Sequence, residues 1–368
     1  MGKLQLCFLL PCLIVTGAAA GQLAYVHEGS NGHEIIILYL ETDIALSPVA
    51  GEADEDDPLW SPDGDRLACV TDVAGYDDLG VLNVATAALT LPSDLAGRHL
   101  EAAWSPDGAR LVFACDCDDK DADEISHVGW MPDYELFVVS VQGGEIRRLT
   151  DNERLSDRSP AWSPDGGWIA YNAEEAFSRS DSASHIYLVA ADGGEPRQLT
   201  DGAVHYWEPR WSPDGRRLLY TGAAPRTALD MQTELVFDGE TVEVDTNTDM
   251  DLYLYDLDEE RQVALTENRL DDFNPRWSPD GSRIAFVRNA DDNADLWLMD
   301  ADGGNPIQLT DDPAWEDTPA WSPDGESIAF VSYDGDDQEI YLVDVEGAEV
   351  RQITDNDVND HSPAWRPE

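Results

Sequence analysis

The chain has 368 residues, with 76 Asp and Glu against 22 Lys and Arg, a formal net charge of −54. Lysine is confined to Lys3 and Lys120, so nearly every basic residue is Arg. Such a charge excludes nucleic acid as a default ligand, because the phosphate backbone needs basic neighbours. It leaves three uses for the acidic surface: solvation in a salty medium, where screening weakens self-repulsion, retention of divalent cations, or attraction of a basic partner.

Residues 1–20 read as a secretory signal peptide: Lys3 as the charged start, an apolar run over 4–15, and Ala18-Ala19-Ala20 before Gly21. The run is short for a membrane span. The expected product is an exported, periplasmic or extracellular protein with no membrane insertion after cleavage, residues 21–368 forming one domain. Cys7 and Cys12 would leave with the signal. Cys69, Cys115 and Cys117 remain. Export permits a disulfide, and Cys69 and Cys115 fall on or beside equivalent strands of adjacent units. The sequence leaves the state of all three open, and the Cys-x-Cys pair shows no further Cys or His at ligand spacing.

Three short strands come next, at 23–26, 35–40 and 43–46. Then comes Trp60-Ser61-Pro62-Asp63-Gly64, and the same five residues return from Trp104, Trp162, Trp211, Trp277 and Trp321; a clipped copy, Trp365-Arg366-Pro367-Glu368, ends the sequence. The tryptophans are 44, 58, 49, 66, 44 and 44 residues apart, a repeat with insertions. Pro presets the first corner of a tight turn, Asp tolerates the second, and Gly takes the left-handed conformation that follows. The motif therefore reads as a hairpin turn with an inter-unit Trp, and not as catalytic. After each copy come an apolar strand, a variable loop, a second strand, a tight turn such as Asp192-Gly193-Gly194, and a short strand closing in Leu-Thr or Ile-Thr. Four short, turn-bounded strands per unit predict a propeller blade.

The run Pro319-Ala320-Trp321-Ser322-Pro323-Asp324-Gly325, followed by Ile328-Ala329-Phe330-Val331-Ser332, Glu339-Ile340-Tyr341-Leu342-Val343-Asp344 and Arg351-Gln352-Ile353-Thr354-Asp355, resembles the TolB-type, WD-like propeller repeat. The resemblance covers almost all of residues 22–368 and implies a fold, not a function. TolB itself carries an extra N-terminal α/β domain, and peptidases of the prolyl oligopeptidase type carry a hydrolase domain after a similar propeller; neither is expected here. The predicted fold is all-β, a seven-bladed TolB-like propeller closed by pairing of the N- and C-terminal strands. Six blades is the alternative, if the unit ending in Ala45-Leu46-Ser47 does not form one.

The loops after the second and fourth strands of each unit share one face and vary in length, at 115–133, 172–184 and 221–250, the last containing a small hairpin. Binding is expected there, around the channel mouth. The residues three before each Trp begin the innermost strands: Asp57, Glu101, Ser159, Glu208, Asn274, Thr318 and Ser362. One position earlier lie Asp56, Leu100, Arg158, Trp207, Phe273, Asp317 and His361. Candidate ligand contacts are Asp57, Glu101, Arg158, Glu208, Asn274, Asp317 and His361, with His205, Tyr206, Trp207, Phe273 and Trp315 offering rings for stacking. The bland reading of Trp207, Phe273 and Trp315 is packing between blade tops. Asp245, Asn247 and Asp249 alternate like the first half of a calcium loop, without its Gly and distal Glu; calcium is the cofactor such a loop would take.

No Gly-x-Ser-x-Gly elbow, His-Glu-x-x-His or phosphate-cradling loop is present. The favoured function is a non-enzymatic scaffold that binds a protein or peptide, with a cell-envelope protein as one partner class and a saccharide as another, acting as a monomer. The alternative is a metal-assisted carbohydrate lyase or hydrolase, for which, by analogy with lyases on TolB-like propellers, His205, His361 and Arg158 are the positions available.

Overall fold

The computed structural model describes residues 5–6, 21–30, 32–48, 53–73, 77–117, 133–144, 146–152, 155–175, 183–225, 234–237, 240–243, 248–290, 293–333 and 337–368. They form seven antiparallel four-stranded blades, with no helix among the described residues. Blade I runs outward through Glu55–Trp60, Arg66–Thr71, Asp78–Asn83 and Ala88–Thr90. The first strands of blades II to VI are His99–Trp104, Leu155–Trp162, His205–Trp211, Asp271–Trp277 and Trp315–Trp321. First strands of neighbouring blades touch, 155–162 against both 99–104 and 205–211, which sets them around the axis.

Blade VII closes the ring as expected. Asp360–Trp365 pairs antiparallel with Gln22–Gly29, placing Leu23 opposite Trp365 and Ala24 opposite Ala364. Gly32–Tyr39 and Ile44–Leu46 complete it, so the unit that would have reduced the count to six is a blade. Closure pairs the edge of Gln22–Gly29 that would otherwise be open to other chains. Outside it, Gln5–Leu6 lies parallel to Ile44–Ala45. The other residues of the expected signal peptide lie outside the described residues.

Alternate residues of a strand face opposite sides of its sheet, and here both sides are buried. Leu23, Tyr25, Ile36 and Leu38 pack toward blade VI, while Ala24, Ile35 and Ile37 pack toward blade I. Seven such apolar layers occupy the seven seams between blades. The runs Ile-Ile-Ile-Leu and Ile-Ala-Phe-Val are continuous in sequence because neither side of their strand meets water.

The Trp-Ser-Pro-Asp-Gly turn has the structural role its sequence suggested. In the copy at Ser105, the hydroxyl donates to Asp107 Oδ1 at 2.6 Å, and Gly108 N donates to the Ser105 carbonyl at 2.8 Å, with Gly108 at φ +64°. The serine hydroxyl holds the turn carboxylates of Asp63, Asp107, Asp165, Asp214 and Asp280 below the usual range, Asp280 at about 2. The Trp indole then reaches the preceding blade. Trp60, Trp104, Trp211, Trp277, Trp321 and Trp365 each donate Nε1–H to the carbonyl just before the preceding blade's Trp, at 2.9–3.3 Å. Arg66, Arg110 and Arg217, each shortly after a turn, lay their guanidinium over the Trp of the next blade at 4.8–5.1 Å. The Thr of the Leu-Thr or Ile-Thr ending in blades II to VI accepts a backbone N–H from the third strand, as Thr150 does from Leu136 and Thr310 from Leu296, both at 2.9 Å.

Candidate functional site at the channel mouth

Seven residues at equivalent positions ring the axis in the left-handed region: Asp57, Glu101, Ser159, Glu208, Asn274, Thr318 and Ser362, with φ between 50° and 55°. The pairing register of each innermost strand slips at this point. A bulge bends its strand, and a non-glycine residue with positive φ is uncommon. Sevenfold repetition makes the bulge a property of the blade, one that turns the first three or four residues of each inner strand toward the mouth.

Between blades II and IV the mouth opens into a cavity of about 470 Å³ lined by Glu101, Arg158, Glu174, His205, Trp207 and Glu208, among others. Five of the predicted contacts, Glu101, Arg158, His205, Trp207 and Glu208, are therefore brought together. Glu101 bridges two blades: its Oε2 accepts the backbone N–H of Ser159 at 2.6 Å, and its Oε1 lies 3.8 Å from Arg158 Nε. Arg158 is also stacked over the Tyr134 ring at 4.8 Å. Glu208 lies 3.4 Å from Arg210 and 3.9 Å from Arg276. Burial, with Arg210 beside it, brings the Arg276 guanidinium down to about 10.

Other candidates sit elsewhere. Tyr206 is buried, edge-on to Tyr220 and Tyr253, and its hydroxyl accepts from Gln262 at 2.9 Å. It points away from its neighbours His205 and Trp207 because successive strand residues face opposite sides, so the structure places it in the III–IV core and not at the mouth. Phe273 and Trp315 pair at 6.4 Å across the tops of blades V and VI, as the packing reading had it, although Trp315 keeps an exposed face. Asn274 donates to Asp317 Oδ1 at 2.5 Å across the same seam. Asp57 opens on the channel; the crowding walls and then Asp56 raise its carboxyl above the ordinary range. Of the calcium-loop residues, Asp245 and Asn247 lie outside the described residues, and Asp249 is in the strand Thr248–Asp256 opposite Ala224. The predicted hairpin in this loop forms from Glu234–Phe237 and Glu240–Glu243. Residues 118–132 and 176–182 of the other two variable loops lie outside the described residues.

His361 does not join His205. It meets His33 edge-on at 6.1 Å, with Glu28 and Asp56 beside them. His33 was missed in the sequence because only the hairpin of blade VII and the ring closure bring it there. A second cluster was missed for the same kind of reason. Pairing of Cys115 with His99 across adjacent strands puts His99 Nε2 at 3.8 Å from Cys117 Sγ. Cys115 and Cys117 form a disulfide, and Cys69 is a free, buried thiol pushed up to about 12 by desolvation. The considered Cys69–Cys115 pairing does not occur: Cys69 packs in the VII–I seam and Cys115 in the I–II seam.

Behind the mouth the seams bury facing carboxyl groups: Glu135 with Asp157, Asp251 with Asp272, Asp295 with Glu316, and Glu339 with Asp360. Some have cationic partners. Arg148 lies 3.0 Å from Glu135, Arg288 grips Asp272 at 2.6 and 2.8 Å, and His27 Nδ1 lies 2.6 Å from Asp360. Others are driven toward the neutral form by burial. Asp157 and Glu316 rise to about 8, and Glu339 and Glu55 to about 7.

Comparison with known proteins agrees with this architecture. The model of the TolB beta propeller domain matches residues 241–368. The chain is 28% identical over 200 residues, half of its length, to an uncharacterised peptidase, YuxL, of Bacillus subtilis, and 30% identical over 139 residues, 30% of its length, to a TolB homologue of Chlorobium luteolum. These alignments span 29% and 30% of the two relatives, so the chain covers under a third of either. Among solved structures, an oligogalacturonate lyase in complex with manganese superposes with a TM-score of 0.67 at 20% identity, over 89% of this chain and 87% of that one. With seven blades and the repeated Trp turn, the chain is a seven-bladed β-propeller whose residues 241–368 match the TolB beta propeller domain.

Proposed function

We propose that this protein is an exported propeller that binds a basic peptide segment of a partner protein at the channel mouth, between blades II and IV. The observation that carries the reading is the cavity itself. Three carboxylates, Glu101, Glu174 and Glu208, line it with one cation, Arg158, which is already held by Glu101 and Tyr134. Trp207 adds an aromatic wall suited to an aliphatic or guanidinium side chain. A net charge of −54 steers a cationic partner toward this face and repels acidic ones.

The test is fluorescence anisotropy of labelled hexapeptides, one Lys/Arg-rich and one Asp/Glu-rich, against the full chain and the variants Trp207→Ala and Glu101→Gln/Glu208→Gln. The basic peptide should bind, and the variants should weaken it by about tenfold or more, as expected when a central aromatic or charged contact is truncated. Equal affinity in all variants would mean that the peptide merely coats an acidic surface, and the reading would fail.

A second reading, a metal-assisted carbohydrate lyase or hydrolase, has one observation in its favour: the two-histidine, two-carboxylate group at the seam of blades VII and I. One neighbour in fold is a lyase solved with manganese. In this reading His361 acts with His33, and not with His205 and Arg158.

A further inference from the structure

We infer that His33, His361, Asp56 and Glu28 form a binding site for one divalent transition-metal ion at the channel mouth, across the joint that closes the ring. Donor atoms of His33, Asp56 and His361 all lie within 4.8 Å of one another. His33 Nδ1 is 3.2 Å from Asp56 Oδ2, and Glu28 Oε1 is 3.3 Å from His361 Nε2 and 3.9 Å from His33 Nε2. An ion held at roughly 2.0–2.2 Å by imidazole and carboxylate needs donors about 3–4 Å apart; His33 gives one ring nitrogen only, so His33, Asp56 and His361 are the converging ligands, and rotation of the partly exposed Glu28 side chain completes the set.

The second atoms of three of these groups are already held, which is how metal ligands are commonly oriented. Asp56 Oδ1 accepts the backbone N–H of Asp57 at 3.0 Å, leaving Oδ2 toward His33. Glu28 Oε2 accepts from Asn359 Nδ2 at 2.8 Å, leaving Oε1 toward both histidines. His361 Nδ1 shares a hydrogen bond with Ser362 Oγ at 3.0 Å, leaving Nε2 toward Glu28. The four ligands come from three strands of blade VII and the inner strand of blade I, so the site is complete only when the ring is closed. Two imidazoles favour zinc, copper, iron or nickel over calcium, which takes oxygen ligands, and the two carboxylates beside them also admit manganese. The inference rests on this geometry alone. It concerns ion binding and holds whether the mouth accepts a peptide or turns over a saccharide.

The experiment is a titration of the chelator-stripped full chain with ZnCl₂, MnCl₂ and CaCl₂ at constant ionic strength, by calorimetry and, for Mn²⁺, by loss of the free-ion EPR signal. One Zn²⁺ or Mn²⁺ per chain should bind, and Ca²⁺ should not compete. The double variant His33→Gln/His361→Gln should lose more than about 100-fold in affinity, beyond the usual cost of losing an outer partner, and Asn359→Ala should lose about 10- to 100-fold. Circular dichroism confirms that each variant is folded; should His33→Gln/His361→Gln not fold, Asp56→Asn, at a half-exposed side chain, serves in its place. The proposal is overturned if the folded wild type binds no Zn²⁺ or Mn²⁺ stoichiometrically, or if the variants bind them equally well. In the latter case the ions sit on surface carboxylates, and the four groups are a metal-free ion network.

Discussion

A buried carboxyl group whose folded pKa is raised binds its proton more tightly in the folded state than in the unfolded one. Asp157 and Glu316 at about 8, and Glu339 and Glu55 at about 7, stand well above unfolded values near 4. Between about pH 4 and pH 8 the folded chain therefore holds extra protons, and stability falls as pH rises through that window. The turn aspartates act in the opposite sense. Their lowered pKa values stabilise above the unfolded value and lose that contribution as pH falls toward about 2, the value for Asp280. The melting temperature should peak between these ranges and decline from pH 5.5 to pH 8.5. In Asp157→Asn/Glu316→Gln the decline should be shallower, because two of the titrating groups are gone. Thermal melts at fixed ionic strength check this; the same slope in the double variant would refute the assignment to these two groups. At this scale the sequence was legible wherever chemistry is local. The Ser-x-Asp-Gly turn needs only its own five residues and was read correctly. Tyr206 was read as a mouth residue because its neighbours are, but a strand turns every second side chain away. His33 carried no signal, since its partner His361 is distant in sequence and near only across blade VII.

Each blade is an apolar sheet that cannot fold alone, because both of its faces need a neighbour. Blade VII is the element that makes the sum cooperative. Its inner strand, Asp360–Trp365, brings Trp365 to the Ala320 carbonyl on one side, while Trp60 of blade I reaches back to the Ala364 carbonyl on the other. Deleting residues 362–368 removes both bonds and uncovers Leu23 and Ala24. Each lost bond costs about 1 kcal/mol and each large apolar residue left unpacked about 1.5–3 kcal/mol. The truncated chain should melt at a clearly lower temperature, lose a single sharp transition and aggregate through the freed edge. Calorimetry and size-exclusion chromatography read these outcomes, and an unchanged single transition would mean that the closure is not structural. The blade count was legible because strand phase at the two ends is a counting argument. The bulge that places seven left-handed residues around the axis was not, because six of them precede proline and Glu101 precedes Ala102, and neither context in sequence gives a sign of positive φ.

At the scale of the molecule, −54 charges must repel one another in the folded state. The screening length falls from about 10 Å at 0.1 M salt to about 3 Å at 1 M. Monovalent salt should therefore raise the melting temperature smoothly toward molar concentrations. A flat response to NaCl with a sharp gain from sub-millimolar CaCl₂, at constant ionic strength, would reject solvation as the use of this surface and favour calcium at Asp245, Asn247 and Asp249. The same charge sets the working conditions of the mouth, since salt that stabilises the ring weakens attraction for a basic peptide.

The indole bonds all point the same way round. Each Trp but Trp162, whose Nε1 is buried without a partner, gives to the blade before it, as Trp104 does to Leu59 and Trp211 to Ala161. A length of chain cut from one Trp to the next thus carries one donor for the unit behind and one acceptor for the unit ahead. Duplicating it in a gene inserts a complete link, and lengthening the loops within it, as in the spacing of 66 between Trp211 and Trp277, disturbs neither end. A ring of this kind can grow by whole repeats and specialise by loops, and its binding face can be replaced without renegotiating what holds the blades together.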